Sequence, residues 1–341
     1  MHNEPTVISS WVSIGLQAFA IRGVSIELAC KHANVLPEQL NNPFTPIPLS
    51  QVTALWNYAE GIINNPCFGL ESAKLINFTT FHSLGYAILA SANLYDAFMR
   101  ITDYSNAATN IGYTFLTEHD DRFIFGIKVN PDVQNLPDGC LDMTLAIFRF
   151  MCRLIHDEKP NIITLEMPRK TLHNRDIFSK VFTSNILLDR DKYALHFDKQ
   201  YLLKPIPTAN EAVANANDKF VEELILKTQY QSVSYQVRKT FRDFLIKGNN
   251  TTIESVAYHI NMSERNLQRC LKQESTTFRE LLDYEKKKLA RQMLKESKTS
   301  VCDIAHQLGF SDSANFSRAF RRWFSCKPLS FRENKINDLS D

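Results

Sequence analysis

Basic and amide side chains recur on the polar face of one short predicted helix at positions 264–273. Leu267 and Leu271 are four residues apart, so they share one face of that helix and point inward. The outward positions are Glu264, Arg265, Gln268, Arg269 and Lys272. Arginine and lysine neutralise phosphates, and arginine and glutamine can each form two hydrogen bonds with a base edge. This face therefore favours binding to the major groove of double-stranded DNA.

A second short helix comes directly before this one. Thr251, followed three residues later by Glu254, predicts a capping box at its start. Asn261-Met262 is expected to end it, and Ser263 to cap the next helix. A short helix, a tight turn and a second helix with a basic outer face form a helix-turn-helix unit.

The same arrangement recurs near the C-terminus. Ser300 and Asp303 predict a capping box, and Gly309 supplies the left-handed residue expected at the helix end. Phe310 is expected to fill the core, and Ser311 or Asp312 to cap the final long helix. The buried face of that helix is predicted to be Phe316, Ala319, Phe320 and Trp323. The candidate DNA contacts there are Ser311, Asp312, Ser313, Asn315, Arg318, Arg321 and Arg322.

One continuous helix is predicted between the two units, over Arg279–Lys295. At about 1.5 Å per residue it spans ~25 Å, which suits two recognition helices set near one DNA turn of ~34 Å. The expected phosphate contacts are Lys272, Lys286, Lys287, Lys288, Arg291 and Arg332, with the capped helix N-termini. Base readout is expected from Arg265, Gln268, Arg269, Asn315, Arg318 and Arg322. For each arginine, a phosphate or solvent contact is an equally open alternative.

Two long motifs resemble the AraC/XylS family of transcription regulators. The first is Met262-Ser263-Glu264-Arg265-Asn266-Leu267-Gln268-Arg269, followed by Phe278-Arg279-Glu280-Leu281-Leu282. The second is Ser300-Val301-Cys302-Asp303-Ile304-Ala305-His306-Gln307-Leu308-Gly309-Phe310-Ser311-Asp312, then Phe316-Ser317-Arg318-Ala319-Phe320-Arg321-Arg322-Trp323, Pro328 and Phe331-Arg332. The resemblance implies a bipartite DNA-binding domain, sufficient as a monomer, that usually activates transcription by contacting RNA polymerase. Ala314 and Asn315 depart from the family pattern, which bears on the bases read.

The first two hundred residues predict an α+β domain with a small sheet. The predicted helices are Ser25–Ala33, Leu49–Ile63, His82–Ala90, Leu94–Asn110, Leu141–Ile155 and Asp176–Phe182. The predicted strands are Tyr113–Thr117, Arg122–Val129, Ile162–Met167 and Tyr193–Phe197. A proline-containing segment at 204–210 is predicted to end this domain, and a helix follows at 211–227. All elements after that helix are predicted to be helical.

The N-terminal part also resembles one branch of the same family. The markers are Trp56, Phe68-Gly69-Leu70, Leu84-Gly85-Tyr86-Ala87-Ile88-Leu89-Ala90-Ser91-Ala92, Leu94, Ala97, Phe178 and Phe182. In that branch this segment is an arabinose-binding-like effector or dimerisation domain, so a small-molecule effector and a homodimer are implied. Eight aromatic residues are candidates for lining a pocket or for plain core, namely Phe78, Phe81, Tyr86, Tyr104, Tyr113, Phe115, Phe123 and Phe125.

We therefore expect an effector or dimerisation domain at 1–205, a linker region at 206–234, and an all-α DNA-binding domain at 235–335. The formal charge divides in the same way. Residues 231–341 hold 20 Lys and Arg against 13 Asp and Glu, a balance of +7. The residues before them hold 19 against 24, a balance of −5. A basic part attached to an acidic part suggests that only one of them meets a polyanion.

Other functional classes have little support. Seven scattered cysteines without a C-x-x-C pair argue against disulfides or zinc and favour a reducing cytoplasm. No nucleotide-binding or H-E-x-x-H motif occurs, so we expect no cofactor, metal or catalytic site. The start of the chain does not resemble a signal peptide, and no apolar run suits a membrane span. Two alternatives remain for the N-terminal part, a pure dimerisation module or a hydrolase-like domain with Cys140, after Gly139, as nucleophile.

Overall fold

The computed structural model describes residues 4–75, 78–109, 111–156, 160–183, 185–227, 233–274, 276–296, 299–324 and 326–337. The chain divides into two compact units, Met1–Ser232 and Val233–Asp341. The first unit is α+β with a small sheet and the second is helical, as the sequence predicts. Neither unit contains a described helix long and apolar enough to cross a bilayer.

The first unit begins with a strand and a helix that the sequence did not predict. Its helices are α1 (Ser9–Ile21), α2 (Ile26–His32), α3 (Pro37–Asn41), α4 (Leu49–Ile63), α5 (Phe68–Ser72), α6 (His82–Leu89), α7 (Leu94–Ala108), α8 (Asp138–His156), α9 (Arg175–Val181), α10 (Lys199–Leu203) and α11 (Glu211–Lys227). Its strands are β1 (Thr6–Ile8), β2 (Pro46–Pro48), β3 (Gly112–Glu118), β4 (Arg122–Val129), β5 (Ile162–Glu166), β6 (Ile186–Leu187) and β7 (Tyr193–Asp198). The predicted elements are confirmed within a few residues at each end.

The larger sheet has five strands in the order β3-β4-β7-β5-β6, and only β5 and β6 are parallel. Strands β3 and β4 form the predicted hairpin, with Gly112 opposite Val129. The smaller sheet pairs β1 with β2, and Val7 lies opposite Ile47. Helices α7 and α8 contribute aromatic rings to the core. The Phe98 ring stacks 4.2 Å from Phe125, and the Phe148 ring meets Phe125 edge-on at 4.8 Å.

Helix α11 belongs to the first unit, where it packs against α6 with Ala214 and Val221 buried. The predicted linker region, 206–234, therefore contains a packed helix. Residues 228–232 of that region lie outside the described residues.

The second unit consists of helices arranged around two apolar clusters. They are α12 (Val233–Lys247), α13 (Ile253–His259), α14 (Glu264–Gln273), α15 (Phe278–Glu296), α16 (Val301–Gln307), α17 (Ser313–Phe324) and α18 (Pro328–Asn337). Helix α15 confirms the predicted connecting helix and at 19 residues spans about 28 Å. Its Leu281 is buried in one cluster with Leu267 of α14, and its Leu289 is buried in the other with Phe316 of α17. One helix therefore anchors both helix-turn-helix units.

Candidate nucleic-acid interface

Helices α13 and α14 form the first helix-turn-helix unit. The N-cap of α13 is Thr252, which accepts a hydrogen bond from the Ser255 backbone N–H. The prediction that Thr251 begins the capping box is therefore wrong. The two threonines are adjacent and chemically equal, and extended backbone geometry selects Thr252. Asn261 takes a left-handed conformation (φ 55°) in the turn. Ser263 caps α14, as predicted, by accepting from the Asn266 N–H at 3.3 Å.

Helices α16 and α17 form the second unit. Ser300 caps α16 by accepting from the Asp303 N–H at 3.1 Å, while the Asp303 carboxylate accepts from the Ser300 hydroxyl at 2.6 Å. Gly309 has a φ of 71°, the left-handed conformation that was predicted. Asp312, rather than Ser311, caps α17 by accepting from the Asn315 N–H at 2.6 Å. That hydrogen bond lowers the pKa of the Asp312 carboxyl.

The predicted inner and outer faces of α14 and α17 agree with the structure. Leu267 and Leu271 are buried in the first unit, as are Phe316, Ala319, Phe320 and Trp323 in the second. The exposed candidate contacts are Ser263, Glu264, Arg265, Gln268, Arg269, Lys272, Ser311, Asp312, Ser313, Arg318, Arg321 and Arg322, and Asn315 is half-buried. Each unit therefore presents one polar, arginine-bearing helix face to solvent.

The two recognition helices share a detail that sequence reasoning missed. Arg269 donates to Asn266 Oδ1 at 2.8 Å, and Arg318 donates to Asn315 Oδ1 at 2.5 Å. In each helix the asparagine is three residues and the arginine six residues after the N-cap. An arginine side chain has many rotamers, so this local hydrogen bond restricts where the guanidinium lies before any ligand binds.

Arg322 is restrained differently, by a carboxylate of α15. Its guanidinium lies 3.3 Å from Asp283 Oδ2, and the Trp323 indole N–H donates to the same oxygen at 3.2 Å. Asp283 therefore links the outer face of α17 to the connecting helix. Asp283 and Arg322, with Asn315 and Arg318, border an open hollow of about 490 Å³.

Two lysines of α15 lie over aromatic rings of the second unit. Lys286 Nζ is 4.7 Å from the centre of the Phe310 ring, and Lys287 Nζ is 5.3 Å from that of Phe324. Burial lowers the pKa of Lys286. Lys288 and Arg291 are half-buried, and Arg332 donates to the Thr299 carbonyl at 2.7 Å. Lys286, Lys287 and Arg332 thus make contacts within the helical unit, and the predicted phosphate contacts of all five cations stay a prediction.

A buried charge network joins α12 to α15. Glu285 is fully buried, and its carboxylate lies 2.8 Å from Arg238 Nε and 3.4 Å from Arg242 Nε. The Arg238 guanidinium also stacks 4.6 Å from the centre of the Tyr284 ring. Sequence reasoning missed this network because Arg238 and Glu285 are 47 residues apart and each charge alone resembles a solvated helix charge.

The first unit contains an apolar cavity of about 130 Å³ between β1, α1, α6, α7, the β3–β4 hairpin and α8. Of the eight aromatic candidates, Phe81, Tyr104 and Tyr113 line it. Phe123 and Phe125 belong to the buried core, while Tyr86 is about half exposed. Burial raises the pKa of the Tyr104 phenol, which is hydrogen-bonded to Ser10.

Cys140 lies within α8 and not at a strand-to-helix turn. Burial raises the pKa of its thiol to about 12, so the thiolate that a cysteine nucleophile needs is disfavoured. Among the described residues, no group of three His, Cys, Asp or Glu side chains could hold a metal ion.

Two family models match the chain. The model described as the arabinose-binding domain of AraC transcription regulators, N-terminal, matches residues 23–206. A model described as a helix-turn-helix domain matches residues 256–334. The first covers more than half of the chain, and the second covers both recognition helices.

Several characterised regulators are similar to the chain. The ornithine utilization regulator of Pseudomonas aeruginosa is 27% identical over 325 residues, covering 93% of this chain and 94% of that protein. The transcriptional activator RhaS of Escherichia coli is 40% identical over 83 residues, which are 24% of this chain and 30% of RhaS. Among solved structures, the transcriptional regulator CdpR from Pseudomonas aeruginosa matches 90% of this chain and 96% of its own, with 17% identity and a TM-score of 0.42.

Proposed function

Because this chain belongs to the AraC family of transcription regulators, we propose that it binds a specific operator with both recognition helices and activates transcription under the control of a small molecule. It is a regulator with a helix-turn-helix DNA-binding domain and an arabinose-binding-like N-terminal domain, not an enzyme. The proposed domains are an effector domain at 1–205, a linker region at 206–234 and a DNA-binding domain at 235–335.

The observation that carries the DNA-binding part is the repeated asparagine–arginine pair. Both α14 and α17 are capped, exposed helices that hold an arginine at the same position relative to the cap. A major groove accepts one helix, and an arginine with a restrained guanidinium can donate two hydrogen bonds to guanine O6 and N7. We assign base contacts to Arg269 and Arg318, and contacts with the DNA phosphates to the helix N-termini and to Lys272.

Substitution of these two arginines tests the assignment. A duplex of about three turns is first selected from a random library by the full chain. Arg269→Ala and Arg318→Ala should each weaken binding to it by ~1–3 kcal/mol in a gel-shift titration, because each removes a bidentate base contact. Arg190→Ala removes an equally charged, exposed side chain of the first unit and should leave the affinity unchanged. Retention of full affinity by both helix variants would contradict the assignment.

The apolar cavity supports effector control. A ligand that prefers one of two arrangements of the protein shifts the population between them, and the apolar space between α7, α8 and the hairpin can receive such a ligand. The words arabinose and ornithine belong to the names of the matched family and of a relative, and they do not fix the effector here. Contact with RNA polymerase and a homodimer are further parts of the proposal. Sedimentation of the full chain, with and without the selected duplex, tests the homodimer.

A further inference from the structure

The side chains that line the cavity carry almost no charge. Among the described residues around it, none is Asp, Glu, Lys or Arg. Most are aliphatic or aromatic, and the inner wall includes the buried residues Ile88, Phe148 and Met151. A charged group moved from water into such surroundings loses its hydration without gaining a partner of opposite charge. The lining therefore disfavours both cationic and anionic ligands.

The hydroxyl groups of the lining already use most of their protons. Ser105 donates to the Ile101 carbonyl at 2.8 Å, Thr109 to Thr6 at 2.8 Å and Thr144 to Cys140 at 2.9 Å. Each hydroxyl has one proton but two acceptor lone pairs. These groups can therefore accept a hydrogen bond from a ligand but have no proton left for it.

Two further polar contacts also use hydroxyl protons of the lining that a ligand would otherwise find available. Thr114 Oγ1 lies 2.5 Å from Ser105 Oγ, so this contact uses a proton of one of the two hydroxyl groups. Tyr104 is hydrogen-bonded to Ser10, which occupies one of their two protons. A carboxylate accepts several hydrogen bonds, and the hydroxyl groups that make these contacts leave few protons for it. His82 also lines the cavity, but its side chain is exposed and hydrated at the rim, so it does not compensate a charge at the inner wall.

The size of the cavity limits the ligand further. Its volume of about 130 Å³ is close to the ~150 Å³ of an engineered apolar cavity that binds benzene. A sugar of comparable size carries several hydroxyl groups, each of which would need a partner among the few that remain.

From this lining we propose that the effector is a small, neutral and mainly apolar molecule with a single hydrogen-bond donor, such as an aryl or short alkyl alcohol. The inference rests on the proposed effector function and specifies its ligand class. It separates this cavity from sites for amino acids, sugars and carboxylic acids.

Matched probes test the ligand class by calorimetry on the full chain. Benzyl alcohol, benzoate and benzylamine share one ring, and 1-hexanol, hexanoate and hexylamine share one alkyl chain. L-lysine and D-ribose represent amino acids and sugars. The alcohols should bind at least about a hundredfold more tightly than the matched acid and amine, since each charged probe would bury an uncompensated ion. L-lysine and D-ribose should give no heat.

Two variants locate the binding site. Ile127→Trp and Leu136→Trp each place a ring in the cavity from a half-buried position, one in a strand and one in a loop, and should abolish alcohol binding. Ile62→Trp changes an exposed apolar side chain of α4 outside the cavity and should bind normally. The loop variant keeps the test valid if the strand variant does not fold.

The possible failures are distinguishable. Preferred binding of an acid, an amine, L-lysine or D-ribose that both cavity variants abolish would overturn the ligand class and leave effector control standing. No binding of any alcohol by a preparation that still binds the selected duplex would overturn the ligand class without touching the DNA assignment. Alcohol binding that survives both cavity variants would place the site elsewhere and would also overturn the inference.

Discussion

At the scale of single residues, the hydrogen bond from Arg269 to Asn266 should contribute to operator affinity. Asn266→Ala removes the acceptor of this hydrogen bond, so the Arg269 side chain is no longer restrained in the free protein. Its conformational entropy is then lost when the protein binds DNA, which weakens binding. We expect the affinity for the selected duplex to fall by about 0.5–1.5 kcal/mol, the usual net value of one hydrogen bond. In an Arg269→Ala background, Asn266→Ala should cause no further loss of affinity for the selected duplex.

A gel-shift double-mutant cycle measures this coupling. Asn57→Ala removes an exposed amide of the first unit and should leave the affinity unchanged. If the losses from Asn266→Ala and Arg269→Ala were additive, Asn266 would act independently of the arginine.

Sequence reasoning at this scale succeeded where the determinants are local. Ser263 and Gly309 were predictable because a cap or a left-handed turn depends on the residue and its immediate neighbours. The surroundings of Lys286 were not, because the Phe310 ring that it covers comes from the turn between α16 and α17. The same holds for Asp283, which contacts Arg322 of α17 although the two residues are 39 positions apart in the sequence.

At the scale of elements, the Glu285 network should determine how firmly α12 is attached to α15. Glu285→Ala leaves the guanidiniums of Arg238 and Arg242 without their buried carboxylate. Removal of one partner from a buried ion pair typically costs 3–5 kcal/mol, and we expect about the lower value because Arg242 is partly exposed. Hydrogen exchange of peptides from 233–296, measured on the full chain, should accelerate accordingly.

The control for this prediction is Asp243→Ala, which removes an exposed carboxylate from the same α12. The opening free energy derived from its hydrogen exchange should differ from that of the unsubstituted protein by no more than about 0.5 kcal/mol, the range of surface substitutions. Equal exchange rates in the two variants would contradict a stabilising role for the network.

The elements that sequence reasoning missed lack a periodic pattern. Helix α1 buries residues on most of its circumference, including Val12, Ile14 and Leu16, so no polar face reveals the helical period. Strands β1 and β2 have three residues each, and β2 begins and ends with a proline. By contrast α4, with its buried Val52, Leu55 and Trp56 at helical spacing, was predicted at both ends.

At the scale of the whole molecule, the proposed DNA contacts and the proposed effector site differ in how far the sequence predicts them. The recognition faces lie within single helices, so their residues follow from helical spacing. The cavity combines residues from Val7 to Met151 in at least six elements, and only the fold brings them together. The opposite charge balances of the two parts of the chain, −5 and +7, also favour contact of DNA with the second part only.

Effector control predicts that the ligand and the operator influence each other's binding. Saturating benzyl alcohol should change the dissociation constant of the full chain for the selected duplex by about 5–150-fold, and the duplex should change the alcohol's dissociation constant by the same factor. Fluorescence titrations of labelled duplex and calorimetry of the DNA complex give the two ratios. Leu136→Trp should abolish the response and keep the ligand-free DNA affinity, because Leu136 lies in the first unit and lines the cavity. If bound alcohol left DNA affinity unchanged, the cavity would be a ligand site without a regulatory role, since a ligand with equal affinity for both states shifts nothing.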